Sequence, residues 1–303
     1  MRAQVWWGRG PKTAPRRPSL RTVTTADAEN KRRVEAFFDD SEYWQADIYE
    51  EARDRFARAV ARRKDYAFEM LARLPDVRRG RALDIGCGGG FYLEELARRG
   101  FAAAGVDSSP GMLDRCRDRL ARAGLGARVR LAHGDVEALP FDDGSFDLVL
   151  AIGVLGYLLR DDRALAELRR VLRPGGYVIV NVTNQWSLAE LLSTARIKLG
   201  RVLSGQPHED GPGTLTSRWI RDHSPTGLHY KYYDLRAFER RMQRQGLQLV
   251  DAMTLSFPLR TLRRAGVPEA VTVGLEVALE RILQRVRVPY LAYAGESYTG
   301  VFR

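Results

Sequence analysis

Chemistry is most concentrated in the run Asp84-Ile85-Gly86-Cys87-Gly88-Gly89-Gly90. Glycines at this density let a backbone come close to a ligand, because no Cβ stands in the way. Two familiar uses of such a loop do not fit. A dinucleotide fingerprint counted from Gly86 needs a third glycine where Phe91 stands, and a phosphate-cradling P-loop needs Gly-Lys-Ser or Gly-Lys-Thr, which is absent. Elsewhere the groups able to move a proton are few. His229 precedes Tyr230-Lys231-Tyr232-Tyr233-Asp234, and an imidazole there could act as a base or orient a hydroxyl, line a pocket, or be structural. His133 is expected to pack, and His208 and His223 fall in loops without a visible partner. Cys87 belongs to the glycine loop and Cys116 is expected to face out of its helix. Two cysteines make no disulfide framework and no Cys/His cluster has zinc-ligand spacing, so no metal is expected.

These residues need a scaffold that gathers them. Short apolar runs at 82–85, 102–106, 129–132, 146–152 and 177–182 read as strands buried on both faces. Helical stretches alternate with them, at 110–123 with Ser109 as N-cap and Pro110 in the first position, and at 162–172 with Asp161 as cap. Strand, helix and strand in repetition predict an α/β fold, a Rossmann-like doubly wound and mostly parallel sheet. The glycine loop then falls where the first strand ends and a helix begins, the place at which an open parallel sheet receives its ligand.

Around this core, at 81–183, the chain divides further. Residues 1–27 read as a disordered basic tail, rich in Arg and Pro, with order expected to begin near Ala28. Residues 28–80 read as an N-terminal helical lid segment. Within it Ile48, Ala52, Phe56, Val60, Ala67, Met70, Leu71 and Leu74 fall mostly three, four or seven apart, a helix stopped by Pro75. Residues 184–228 read as an inserted lid and 229–303 as the C-terminal part of the sheet, with a helix at 236–245 and a strand at 247–252. The stretch 269–288 reads as a basic amphipathic helix that could lie on an anionic membrane surface or cap the sheet.

Composition narrows the class. Of 303 residues 45% are hydrophobic and 29% charged, which excludes collagen-like and low-complexity chains. No apolar run reaches the roughly 18 uncharged residues of a spanning helix, so an integral membrane protein is not expected. Formal charge is +11, yet the first 33 residues hold nine Lys or Arg against Asp27 and Glu29, a net of +7. The remaining 270 therefore carry about +4, and the basic balance says little about the folded body. Cysteine usage fits a reducing compartment, and a cytoplasmic protein is expected, with peripheral membrane contact left open.

The motifs in order resemble the class I S-adenosylmethionine-dependent methyltransferases. An acidic residue followed by G-x-G-x-G is their first motif. Gly105-Val106-Asp107-Ser108-Ser109, Gly134-Asp135-Val136-Glu137, Phe146-Asp147-Leu148-Val149-Leu150-Ala151 and Leu172-Arg173-Pro174-Gly175-Gly176 follow with matching spacing. The resemblance implies that Asp84, Gly86, Cys87, Gly88, Gly90, Asp107, Ser108, Asp135, Val136 and Ala151 bind S-adenosylmethionine. Asp107 would accept the ribose hydroxyls and Asp135 the adenine amino group, with Val136 against the ring. Ionised carboxylates suit these roles because they only accept.

The acceptor must be read from outside the core, since methyl transfer needs alignment first and a base only when a proton must leave. Ala151-Ile152-Gly153-Val154 stands where base-directed enzymes carry an Asn- or Asp-Pro-Pro-aromatic motif, and no RNA-binding module is visible, so nucleic acid is not the expected substrate. A small, hydrophobic molecule is expected, methylated on oxygen or carbon, of quinone, tetrapyrrole or natural-product type. The aromatic run Phe37-Phe38-Asp39-Asp40-Ser41-Glu42-Tyr43-Trp44 would line its pocket or simply pack. His229 lies where related small-molecule enzymes often place a histidine toward the acceptor, and is the candidate catalytic residue. A non-catalytic, cofactor-binding regulator or scaffold, or an RNA methyltransferase, is the alternative.

Overall fold

Apolar runs that are covered by helices on both faces become central parallel strands, and a computed structural model describing residues 24–40, 55–75, 77, 80–185, 187, 228–255, 266–286, 295 and 297–303 arranges them in one sheet. Its strands are β1 (Arg81–Ile85), β2 (Ala102–Asp107), β3 (Val129–His133), β4 (Phe146–Ile152), β5 (Leu172–Thr183), β6 (Leu249–Leu255) and β7 (Ser297–Phe302). The spatial order is β3-β2-β1-β4-β5-β7-β6. From β3 through β5 every pairing is parallel, and β7 runs antiparallel to both β5 and β6.

Burial on both faces holds for β1, β2, β4 and most of β5, but not for β3, which is half-buried along its length and ends in the exposed His133. It is an edge strand, so half of its surroundings are solvent. The strand β7 was not foreseen, although Tyr298-Thr299-Gly300-Val301-Phe302 is of β-forming type; all of it is buried. Its register against β5 is held by the buried Asn181 amide, which donates to Ser297 Oγ (2.9 Å), the Tyr298 carbonyl (2.8 Å) and Thr299 Oγ1 (3.0 Å).

The helices are α1 (Thr25–Asp40), α2 (Arg55–Arg73), α3 (Phe91–Arg98), α4 (Pro110–Arg122), α5 (Asp162–Val171), α6 (Leu235–Arg244) and α7 (Glu269–Val286). Helix α1 opens three residues before the expected Ala28. Thr24 and Asp27 form a capping box there, with Asp27 N–H donating to Thr24 Oγ1 (3.2 Å) and Thr24 N–H donating to Asp27 Oδ2 (2.9 Å). The Ser109 cap is as expected, its hydroxyl accepting from Met112 N–H at 3.0 Å.

Helix α7 departs from its expected character. Between its bounds are three glutamates and two arginines, so it is not basic. It buries Thr272 and Glu276 and leaves Val271, Leu275 and Ile282 about half exposed. No helix among the described residues is long and apolar enough to cross a membrane.

Asp161 does not cap α5. It is only 1% exposed and has become the centre of an ion cluster, its Oδ2 accepting from the Tyr233 hydroxyl (2.7 Å) and pairing with Lys231 Nζ (3.0 Å), while Oδ1 pairs with Arg241. Charge-assisted bonds of this kind outweigh a cap bond. The cluster fastens residues 228–233 to the sheet, where Lys231 N–H also donates to the Gly156 carbonyl (2.7 Å) and Tyr233 N–H to the Thr183 carbonyl (2.8 Å).

Burial alone would raise the Asp161 carboxyl, but Arg241, Lys231 and Tyr233 overcome it and hold the group below the ordinary carboxylate range. A depressed carboxylate stabilises the fold above its unfolded pKa of about 3.9 and loses that contribution as pH falls through the folded value. Asp161→Asn is therefore expected to cost about 3 kcal/mol at pH 7, as removal of one partner from a buried ion cluster does. In urea unfolding the gap between the variant and the wild type should close below about pH 4. Equal stability at pH 7 would show that the cluster does not hold this segment.

Candidate functional site

Strand order reverses between β1 and β4, which opens a crevice beyond the C-terminal ends of these two strands. The glycine loop forms one wall. Gly86 N–H and Cys87 N–H both donate to the Val106 carbonyl, at 2.8 and 3.1 Å, so the loop is stitched to β2.

Two of its glycines are required for different reasons. Gly90 has φ +83°, and a Cβ on it would lie 2.4 Å from Cys116 Sγ. The helix α4 is thus packed directly on the loop. Gly88 has φ +48°, and a Cβ there would meet nothing within 4 Å. Its missing side chain leaves open space in the crevice, the form of cradle a ligand fills.

This packing corrects the expected outward direction of Cys116, which is wholly buried on the same stripe of α4 as Met112, Leu113 and Leu120. Its thiol is hydrogen-bonded to Cys87, and that bond together with burial pushes the Cys87 thiol well up. Cys87 is accordingly a protonated packing group and not a thiolate nucleophile.

The carboxylates converge on the crevice because strand register carries them there, with Asp84 opposite Gly105 and Asp107 opposite His133. Asp84 is buried and its Oδ2 has no hydrogen-bond partner. Burial, and then the nearby Asp107, push its carboxyl well up. A cationic donor would satisfy that oxygen and reverse the shift. Asp107 is half-buried, its Oδ2 accepting from Gly88 N–H (2.8 Å) and its Oδ1 from Ser109 N–H (2.9 Å). Burial raises it despite these amides, and each oxygen retains a lone pair for a ligand. Asp135 accepts from Glu137 N–H (2.9 Å) and pairs with Lys31 Nζ (2.7 Å), while Val136 beside it is buried. Ser108 offers its carbonyl to Nε2 of the exposed His133 at 2.9 Å, so that histidine does not pack as expected. Ala151 is wholly buried in β4.

Helix α1 spans the loops that follow β2, β3 and β4. Asn30 Nδ2 donates to the Tyr157 carbonyl (2.7 Å), Lys31 bridges Asp135 and Glu137, and Asp27 pairs with Arg160. At its far end Asp39 Oδ1 accepts from Gly111 N–H (2.9 Å), and Arg115 holds the Phe38 and Asp39 carbonyls. These ties were not legible in sequence, since they join residues 72 to 133 positions apart.

An aromatic wall follows from this docking. The rings of Phe37 and Phe38 are 5.1 Å apart, those of Phe38 and Tyr157 5.3 Å, and those of Tyr157 and Tyr230 4.9 Å, all edge to face. Tyr157 and Tyr230 were not among the residues expected at the site. Their signal is Gly156, where a Cβ would lie 2.6 Å from the Tyr230 ring. The Tyr230 hydroxyl is 3.0 Å from Thr183 Oγ1. His229, next along the chain, is half-buried, and its enclosed Nε2 has no partner. Burial and the adjacent Lys231 lower its pKa below that of free imidazole. Residues 41–44 of the expected aromatic run and nearly all of the 184–228 insertion lie outside the described residues. Among the described residues no cluster of His, Cys, Asp and Glu has the form of a metal site.

The groups present fit S-adenosylmethionine: an unpaired buried carboxylate oxygen for its ammonium, a glycine cradle, and acceptor carboxylates at the β2 and β3 ends. Comparison with known proteins agrees. Residues 83–180 match the family described as "Methyltransferase domain". An uncharacterised protein of Mycobacterium tuberculosis is 36% identical over 196 residues, covering 58% of this chain and 70% of that protein. Sterol 4-C-methyltransferase of Caenorhabditis elegans is 36% identical over 98 residues, 32% of this chain and 29% of that enzyme, so the chain spans under a third of its length. The crystal structure of the [4+2]-cyclase SpnF superposes with a TM-score of 0.58 at 21% identity, covering 90% of this chain and 96% of that one, a likeness of fold. With crevice, loop and family match in agreement, the chain belongs to the class I S-adenosylmethionine-dependent methyltransferases.

Proposed function

We propose that this methyltransferase alkylates oxygen or carbon of a small, hydrophobic acceptor held between the glycine loop and the Phe38, Tyr157 and Tyr230 rings. The carrying observation is the open space at Gly88, whose N–H donates to Asp107, the carboxylate that in turn helps to raise the unpaired Asp84. The cofactor, when bound, supplies a methyl group already activated by its sulfonium. Apart from removal of a proton where the acceptor must lose one, the chain's part is positioning.

Asp84 Oδ2 takes the ammonium, Gly88 admits the methionine backbone, Asp107 accepts the ribose hydroxyls, and Asp135 with Val136 receives the adenine. Lys31, 2.7 Å from Asp135 Oδ2, orients that carboxylate for the task. The ring faces exclude water and present π-electrons that favour a neighbouring cation. The sterol enzyme named above acts on a hydrophobic acceptor by its name, which supports the same class here. The half-exposed Val271, Leu275 and Ile282 of α7 support a peripheral, apolar contact with the lipid phase in which such acceptors reside.

His229 is the candidate base. Its lowered pKa keeps the imidazole neutral at neutral pH, and a neutral ring can take a proton from an acceptor hydroxyl. The expected pH profile of kcat is flat through pH 7 and falls only below the free-imidazole value of about 6.5.

Three measurements test this reading. In calorimetric titration Gly88→Ala should fold, at a cost of about 1–2 kcal/mol for a left-handed alanine, yet bind S-adenosylmethionine at least tenfold more weakly. Asp107→Ala should lose about 2–3 kcal/mol of binding. Unaltered affinity in both would remove the cofactor assignments. Incubation with methyl-labelled cofactor and a metabolite extract should place label in a small apolar product. Label only in RNA or protein, or none at all, would favour the alternatives. His229→Ala should lower kcat by roughly 10²- to 10⁴-fold with cofactor affinity intact; a loss below tenfold would make His229 pocket wall.

A further inference from the structure

The apolar stripe of α2 contains a charged residue where its period calls for an apolar one. Val60, Ala67, Met70 and Leu74 are all buried, at steps of seven, three and four. The position that would divide the seven into three and four is 63, and it is arginine. A guanidinium on a core-facing stripe is disfavoured unless something pairs with it.

Nothing described does. Arg63 Nε is enclosed and makes no hydrogen bond, and no described carboxylate forms an ion pair with Arg63. The head group extends to the C-terminal end of β4, where Nη1 lies 3.3 Å from the place a Cβ on Gly153 would take. Gly153 adjoins Val154, and Val154 is the side chain that a Cβ on Gly86 would strike, at 2.8 Å. The unpaired guanidinium is therefore on the crevice side of β4, across from the glycine loop and the unpaired Asp84 oxygen.

Resting on the function proposed above, we infer that Arg63 is the carboxylate receptor of the crevice, pairing with the carboxylate of a bound small molecule. A planar guanidinium offers Nε–H and Nη–H side by side, and a carboxylate meets both at once, which satisfies the enclosed Nε. Asp84 and Arg63 then flank the gap between β1 and β4 with opposite charges, the complement of an ammonium and a carboxylate. The carboxylate is either that of the cofactor's amino-acid end or one carried by the acceptor.

Titration of S-adenosylmethionine, and of 5′-methylthioadenosine, which lacks the amino-acid end, into wild type, Arg63→Lys and Arg63→Met separates the two sources. If the cofactor supplies the carboxylate, Arg63→Met raises the Kd for S-adenosylmethionine 10- to 100-fold, Arg63→Lys raises it less, and methylthioadenosine changes under twofold. If the acceptor supplies it, both nucleosides bind as in wild type, while benzoate, observed by saturation-transfer NMR on the cofactor-loaded protein, binds wild type and not Arg63→Met. The melting temperature of ligand-free Arg63→Met is expected to be unchanged or higher, because a half-buried guanidinium whose Nε is unpaired is replaced by an apolar side chain. Unchanged binding of S-adenosylmethionine and of benzoate in both variants overturns the role of Arg63. A wild type that binds no S-adenosylmethionine overturns the cofactor assignment itself, and so distinguishes that failure from this one.

Discussion

The contact on which the site depends is the close approach of the glycine loop to its neighbours. Gly86 and Cys87 are hydrogen-bonded to the Val106 carbonyl, and Gly90 is pressed against Cys116 of α4. A side chain at position 90 would separate loop and helix, and with them the Ser109 cap and the Asp107 carboxylate that α4 and β2 deliver. Gly88, the one member of the set facing open space, is where the proposed ligand would meet the loop. Close packing at two glycines thus sets the geometry that a third makes available.

Polar accounting divides the molecule. Among the described residues, Asp161 has three partners and Asp27 pairs with Arg160, and at the β3 end of the crevice Asp135 has Lys31 and an amide. At the crevice and beside its aromatic wall, Asp84 Oδ2, Arg63 Nε and His229 Nε2 have none. Buried polar groups are ordinarily paired because leaving one unpaired costs desolvation without return. Their clustering along the ends of β1 and β4 and the segment after the insertion is what binding energy, not folding energy, would explain. Helix α1 belongs to the satisfied class and contributes differently, by tying the loops after β2, β3 and β4 to one another.

Several elements could be read locally because their causes are local. The strands of the core, the Ser109 cap with Pro110 after it, the end of α2 ahead of Pro75 and the glycine loop all depend on residues within a few positions of each other. The capping box at Thr24 and Asp27 is equally local, joining residues three positions apart. Strand β7 carried a β-forming run, but its place between β5 and β6 depends on Asn181, over 110 residues earlier.

What the sequence by itself determined was the alternation of strands and helices, the loop at the end of β1 and the family to which that pattern belongs, because periodicity and backbone sterics are properties of neighbouring residues. Tertiary structure alone decided which side chains are paired. Asp161 has the sequence context of a helix cap and is instead a buried ion centre, since Arg241 arrives from 80 positions away. Cys116 faces the loop and not solvent, since Gly90 makes room for it. Arg63 is a gap in an apolar stripe until the end of β4 is seen beside it. A charge's energy depends on what stands within a few ångströms, and only folding brings those partners together.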